Sequence, residues 1–313
     1  MENIELFKKI QGTVFGLAIG DALGYPVEFL SRDSIKSQYG EEGIINYPFN
    51  SNNVKVGLYS DDTQMTLAVA NSLLESKTDH AEEIMDNMTK NFIKWKNSPE
   101  NNRAPGFTCM GGVENLEKGI HWTQSGLDSY GCGSAMRAAP IGIIYNKKFD
   151  KLKEVAKNSS IITHNHPVAV ASAIANAYLV AKSINGEDPR DLDSLIKFTE
   201  GISEQFTNKL KDIERYYDYQ TDTALNLIGE GWKGDEAVAL AQYCVMKGDL
   251  DFDKTVVMAA NTNGDSDSIA SIAGGIVGSY VGRDKIPLRF FRGLENRKLL
   301  FETSKKLYDK ITK

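Results

Sequence analysis

Two short segments concentrate oxygen ligands. Ser60-Asp61-Asp62-Thr63 runs straight into an apolar pattern of helical spacing, Met65, Val69, Leu73 and Leu74. Asn263-Gly264-Asp265-Ser266-Asp267-Ser268 runs into small residues from Ile269 to Gly278. A helix start needs one acceptor side chain for its free N–H groups and gains from acid in its first turn. Four carboxylates and two flanking hydroxyls in two matched settings exceed that need. Adjacent carboxylates repel one another unless a cation compensates them, and a donor set made only of oxygen suits hard ions such as Mg²⁺ or Mn²⁺. An EF-hand is excluded, because Ile269 and Ala270 stand where that loop requires a ligand and a glycine. The pattern therefore points to binding of a hard divalent cation.

A second group of residues suits a phosphate. In Ser129-Tyr130-Gly131-Cys132-Gly133-Ser134-Ala135-Met136-Arg137 the glycines let backbone N–H groups approach anionic oxygens closely, as a diphosphate requires. It is not a P-loop, since the Lys-Ser/Thr ending is missing, and the third glycine of a dinucleotide fingerprint is missing too. The alternative is a tight turn before the next element, 138–145. Thr163-His164-Asn165-His166-Pro167 places two histidines before a helix, too few soft ligands for zinc; His166 reads as capping or surface. Tyr216, Tyr217 and Tyr219 offer an aromatic face, or simply packing.

The elements that must position these groups read as helices. Ile4, Phe7, Ile10, Val14 and Leu17 form one stripe, leading into the small-residue run Gly16 to Gly24. Ile84, Met88, Phe92, Ile93 and Trp95 form another. Further helices are expected over about 152–162, 167–184, 192–206, 221–228, 235–246, 252–260, 268–281 and 294–311. Alternating strand patterns are scarce. The chain thus reads as one all-α domain over 1–313, with 31–58 and 97–130 left irregular and expected to form a substrate mouth.

Composition is consistent with this. A formal charge of −6 over 313 residues gives no electrostatic reason to expect nucleic acid. Cys109, Cys132 and Cys244 are an odd set without CxxC spacing, which points to a reducing compartment. Met1–Gln11 lacks the apolar core of a signal peptide, and Val168–Ala181, carrying Ser172 and Asn176, falls short of a membrane span. A cytoplasmic monomer with no membrane partner is expected.

Taken together, Gly20-Asp21-Ala22-Leu23-Gly24 with Glu28, Tyr59-Ser60-Asp61-Asp62-Thr63-Gln64-Met65, Thr163-His164 and Gly264-Asp265-Ser266-Asp267-Ser268 resemble the ADP-ribosylglycohydrolase family in order and spacing, from about 11 to 282. The resemblance implies an all-α orthogonal multi-helix bundle with a binuclear metal site in a central cleft. It implies two Mg²⁺ (or Mn²⁺) ions held by Ser60, Asp61, Asp62, Asp265, Asp267 and Ser268. Ser60 and Ser268 stand where many members have threonine and keep the hydroxyl. Glu28 matches the movable glutamate of some relatives and is the candidate acid/base, acting with Asp62 and Asp267. Other relatives use an aspartate in the loop that here runs Gly106 to Gly111 and contains no carboxylate. Gly106, Ser129, Tyr130, Gly131, Gly133, Ser134 and His164 are the implied substrate contacts, with Cys132 where asparagine is frequent. Gly229-Glu230-Gly231-Trp232 is expected near the adenosine end.

The implied reaction is hydrolysis of an ADP-ribosyl bond to a protein or small conjugate, with protein arginine favoured by the family. O-linked serine or acetyl conjugates are the alternative linkage. A phosphohydrolase acting on the diphosphate would instead release AMP. A non-catalytic, crystallin-like binder is the third reading, and retention of all four metal-site aspartates argues against it.

Overall fold

The computed structural model describes residues 3–313; the first two residues of the Met1–Gln11 segment lie outside them. Sixteen α-helices follow one another among the described residues. They are α1 (Ile4–Gly24), α2 (Arg32–Tyr39), α3 (Asp61–Glu75), α4 (Ala81–Lys96), α5 (Phe107–Glu117), α6 (Ala139–Ile144), α7 (Phe149–Ile161) and α8 (Pro167–Ile184). The second half comprises α9 (Leu192–Thr199), α10 (Glu204–Tyr216), α11 (Thr221–Ile228), α12 (Gly234–Lys247), α13 (Phe252–Ala260), α14 (Ser266–Val281), α15 (Leu288–Phe291) and α16 (Arg297–Thr312). Extended pairing among the described residues is limited to isolated bridges, including Leu127 with His164, Gly131 with Lys233 and Gly57 with Leu294. The all-α expectation holds.

The centre of the molecule is the antiparallel pair α1 and α14, and its closeness is dictated by sequence. Gly12, Gly16, Gly20 and Gly24 recur every fourth residue and so share one helix face. A Cβ on Gly12 would stand 2.0 Å from the Gly278 carbonyl oxygen, one on Gly16 2.2 Å from that of Gly274, and one on Gly20 1.9 Å from that of Ala270. At Gly24 it would stand 2.5 Å from the Asp267 backbone. No side chain fits along this seam. Because the helices run antiparallel, the end of α1 meets the start of α14, which delivers Asp21 and Glu28 to the Asp265–Asp267 segment.

Gly20→Val is accordingly expected to lower unfolding free energy by at least about 3 kcal/mol, the upper range for forcing methyl groups into a packed site. Gly275, on the same helix as Gly274, is the control. Its added Cβ would meet only Leu17 Cβ at 3.5 Å, so Gly275→Ala should be neutral or gain up to about 1 kcal/mol from helix propensity. Urea denaturation of both variants checks the pair; equal midpoints would refute the seam as a source of stability.

Three expectations need correction. Helices α2 and α5 lie inside stretches whose pattern is irregular. Helix α2 buries only Ile35, so no apolar stripe marks it, and its start is fixed locally by Ser31 accepting the Ser34 N–H. In α5 the adjacent Gly111 and Gly112 mask the pattern; Gly112 is there for contact, since its Cβ would fall 2.6 Å from Thr163 Cα. The pattern over 192–206 is two helices, broken around Gly201 at φ +79°. Lastly, α8 is by length and composition apolar enough to cross a membrane, yet 94% of it is buried inside the bundle. Its Asn176 donates to the Ala135 carbonyl at 2.7 Å, as a core helix requires.

Candidate active site

The start of α3 is held by a residue of α1. Fully buried Asp21 accepts the Ser60 N–H at 2.8 Å on one oxygen, and the Thr63 N–H at 2.9 Å and hydroxyl at 2.5 Å on the other. Burial pushes its carboxyl up to about 6, with the hydrogen bonds from Thr63 and Ser60 opposing. Ser60 Oγ accepts the Asp62 N–H at 3.2 Å and is the N-cap. Capping is thus met by Ser60 and Asp21, which leaves Asp61 and Asp62 over. Asp61 accepts the Gly106 N–H at 3.2 Å. Asp62 Oδ2 is buried and has no hydrogen-bond partner among the described residues.

At the start of α14, Asp265 occupies the N-cap position without making a capping hydrogen bond. Its Oδ2 instead lies 3.1 Å from Cys132 Sγ, which also approaches Ser268 Oγ at 3.6 Å. Asp267 Oδ1 accepts the Ser268 N–H at 3.0 Å. Gly264 at φ +79° turns the chain so that its missing side chain makes room for the Glu230 carbonyl, 2.3 Å from where a Cβ would be. Capping, the bland explanation for these acids, accounts for neither Asp265 nor Asp62.

Glu28 completes the group. It follows the short 3₁₀ turn Tyr25–Val27 that ends α1. Carboxylate oxygens of Glu28, Asp265 and Asp267 lie within 4.8 Å of one another, a spacing that can hold a cation. The group expected to work as acid/base therefore also stands where a ligand would. Burial, then the charges of Asp265 and Asp21, raise Glu28 to about 7. Asp61, Asp62 and Asp267 are all pushed well above the usual carboxylate range, first by burial and then by neighbouring carboxylates, Asp21 and Asp61 acting on Asp62, and Asp62 and Asp265 on Asp267. So much uncompensated acid in one place is a site awaiting positive charge.

These residues form one wall of a cleft of about 620 Å³, within the roughly 300–1,000 Å³ usual for small-molecule sites. Gly106, Ser129, Gly131, Gly133 and His164 line it. Arg137, buried and able only to donate, donates to Thr163 Oγ1 at 2.8 Å, and that hydroxyl lies 2.8 Å from His164 Nδ1, the tautomer of the ring setting which of the two donates. Burial and then the Arg137 charge lower His164 to about 3, which keeps the ring neutral, and its Nε2 lies beside Gly131 and Gly133.

Two expected contacts lie elsewhere. Ser134 is fully buried and turned away, its hydroxyl engaged with the Ala169 carbonyl and Ser160, because the 3₁₀ turn Cys132–Ser134 rotates it toward α8. Tyr130 stands at the edge, its ring 5.5 Å from His166 and 5.7 Å from Trp232. His166 caps α8, accepting the Val168 N–H. Tyr216 packs on Tyr219 and Tyr217 on Tyr243, and none of them lines the cleft. The aromatics that do border it are Phe29, Phe107 and Trp232, exposed by 62%, 86% and 40%. Large apolar rings so exposed are the signal that the sequence pattern could not carry. Asp21 was legible only as part of a motif; its tethering role needed the fold.

An all-helical bundle whose central helix pair delivers carboxylates to the base of a glycine-walled cleft is an architecture suited to metal-assisted chemistry on a small molecule. Residues 2–313 match the model of the ADP-ribosylglycohydrolase family, and the chain belongs to it. It is 32% identical over 304 residues to a protein of Archaeoglobus fulgidus, covering 96% of each chain. It is 24% identical to the ADP-ribosylarginine hydrolase Tri1 of Serratia proteamaculans, over 97% of this chain and 80% of that one. A solved ADP-ribosylglycohydrolase-related structure superposes with a TM-score of 0.72 at 22% identity, over 99% of this chain and all of that one, and shows the same fold. The protein is an ADP-ribosyl hydrolase, and its family depends on metal.

Proposed function

We propose that this enzyme cleaves the N-glycosidic bond between ADP-ribose and a protein arginine, in the cytoplasm, with Mg²⁺ as cofactor. The observation that carries the reading is the convergence of Glu28, Asp265 and Asp267 beside Asp61 and Asp62 at the base of the cleft. The donor set fits a hard divalent cation: it is all oxygen, repelled by its own charge, and includes the orphaned Asp62 Oδ2. Glu28, Asp265 and Asp267 would hold one ion, and Asp61, Asp62, Ser60 and Ser268 would serve a second. Bound there, Mg²⁺ supplies Lewis-acid charge to the ribose hydroxyls and to water.

The chain's own groups do the rest. With the N–H groups of Ser129, Gly131 and Cys132 engaged within the protein, the Gly133 N–H and His164, in its Nε2–H tautomer, donate to the diphosphate and ribose, orienting the anomeric carbon over the acids. Glu28, as its carboxylate, takes one proton of the attacking water as the glycosidic bond breaks through an oxocarbenium-like state; the water oxygen bonds to the anomeric carbon, and the arginine leaves with the electron pair of the broken bond as a guanidine, which takes that proton back from Glu28. The arginine linkage draws support from the relative named for that activity.

The test is an ADP-ribosylarginine peptide incubated with enzyme and Mg²⁺, with EDTA in a parallel sample. Intact ADP-ribose should appear, and EDTA should stop it. Release of AMP would replace the reading with diphosphate cleavage, and turnover confined to serine-linked or acetyl conjugates would move the linkage.

A further inference from the structure

A second recess, of about 530 Å³, opens between α1, the 3₁₀ turn Arg283–Lys285, α15 and the start of α16. Its floor is aromatic: Phe15 and Phe291 are buried, with ring centroids 5.2 Å apart. Its walls are cationic, formed by Arg283, Arg292, Arg297 and Lys298, and no carboxylate lines it. This concentration is out of keeping with a chain of net charge −6.

Arg292 and Arg297 make no ion pair or side-chain hydrogen bond with any described residue. Arg283 lies over the Phe291 ring at 5.1 Å; its acidic neighbour Asp284 is 3.9 Å away and is already engaged by Lys8 at 2.8 Å. Lys298 reaches only Glu302, at 3.9 Å. The placement is also unfavourable without a partner. Arg297 and Lys298 sit in the first turn of the sixteen-residue α16, which has no side-chain cap and no acid there, so they face the positive end of the helix dipole.

We propose that this recess binds a small anion carrying a flat apolar body, an aryl phosphate of nucleotide size. Arg292 and Arg297 take the phosphate oxygens in forked hydrogen bonds, and the flat group lies against Phe301 and Leu288, the exposed apolar side chains of the lining. The recess shares a wall with the segment that steadies the acidic motif. Gly57 N–H donates to the Gly293 carbonyl at 3.0 Å, Glu295 accepts the Tyr59 N–H at 2.9 Å, and Asn296 donates to the Tyr59 hydroxyl at 2.8 Å. Occupancy should therefore stiffen the chain just before Ser60.

The experiment titrates full-length protein with fluorescent 4-methylumbelliferyl phosphate, with ADP-ribose present in excess to fill the cleft. Binding is expected to weaken at least about tenfold in Arg292→Gln/Arg297→Gln, a loss of about 1.4 kcal/mol. The dephosphorylated fluorophore should bind at least about tenfold more weakly than its phosphate. Both arginines are exposed, and an unchanged melting curve confirms that the variant is folded. Equal affinity in variant and wild type, equal affinity for the uncharged fluorophore, or capture only by anionic lipid vesicles would each overturn the proposal. Amide exchange at Tyr59 should slow on binding, and unchanged exchange would remove the link to the acidic motif.

Discussion

Asp267→Ala is expected to fold and to lose hydrolysis by at least about a thousandfold. Removing a ligand that helps place cationic charge at the reacting sugar forfeits several kcal/mol of charge stabilisation, and each 1.36 kcal/mol is a factor of ten. The direction of the stability change separates this from simple damage. Asp267 is buried among Asp62, Asp265 and Glu28, whose charges raise its own carboxyl, so without metal the variant should melt no lower than wild type.

The metal response makes the same point through pH. Glu28 stands at about 7 in the fold, against about 4.3 in an unfolded chain, and Asp61, Asp62 and Asp267 are raised as well. The folded protein without metal therefore holds protons that the unfolded chain has released. Stability from Glu28 is present in full below about pH 4 and is lost as pH rises through about 7, and the raised aspartates act in the same direction. A bound cation replaces those protons. Mg²⁺ should thus raise the melting temperature more at pH 7.5 than at pH 5.5 in wild type, and much less at either pH in Asp267→Ala. A variant with wild-type turnover and an undiminished metal shift would dismiss the carboxylate site altogether.

The second large effect belongs to Glu28. Glu28→Gln keeps shape and one ligand oxygen but can neither accept nor deliver a proton, and a loss of about 10²–10⁴ in kcat is expected, with ADP-ribose affinity near that of wild type. Because Glu28 also lies within 4.8 Å of Asp265 and Asp267, the loss has two separable sources. Recovery of kcat at high Mg²⁺ would show that the carboxylate acts mainly as a ligand. A loss that no Mg²⁺ concentration repairs is the proton-transfer outcome predicted here, and unaffected turnover would pass the acid/base role to another group.

Much of this site is readable before any fold is known. Asp61, Asp62, Asp265 and Asp267 stand out because residue type and adjacency are local properties, and the repulsion they imply needs no coordinates. The helices with strong apolar stripes, such as α3 and α4, are legible for the same reason. The glycines of α1 are visible as a four-residue repeat, but their purpose is not, since a repeat does not name its partner. Only the packed structure pairs them with Gly278, Gly274 and Ala270 and so brings Glu28 to residues more than two hundred positions away.

Tertiary structure alone decided the remaining roles. Asp21 caps a helix that is not its own, an arrangement no window of sequence can reveal. Cys132 meets Asp265, and Ser134 turns toward α8 although it is two residues away on the same loop; one short 3₁₀ turn separates a cleft residue from a buried one. Composition and spacing specified which chemistry the chain can perform, because charge and ligand type travel with each residue. Which residues perform it was set by the close approach of α1 and α14, because a site is defined by distances that only packing creates.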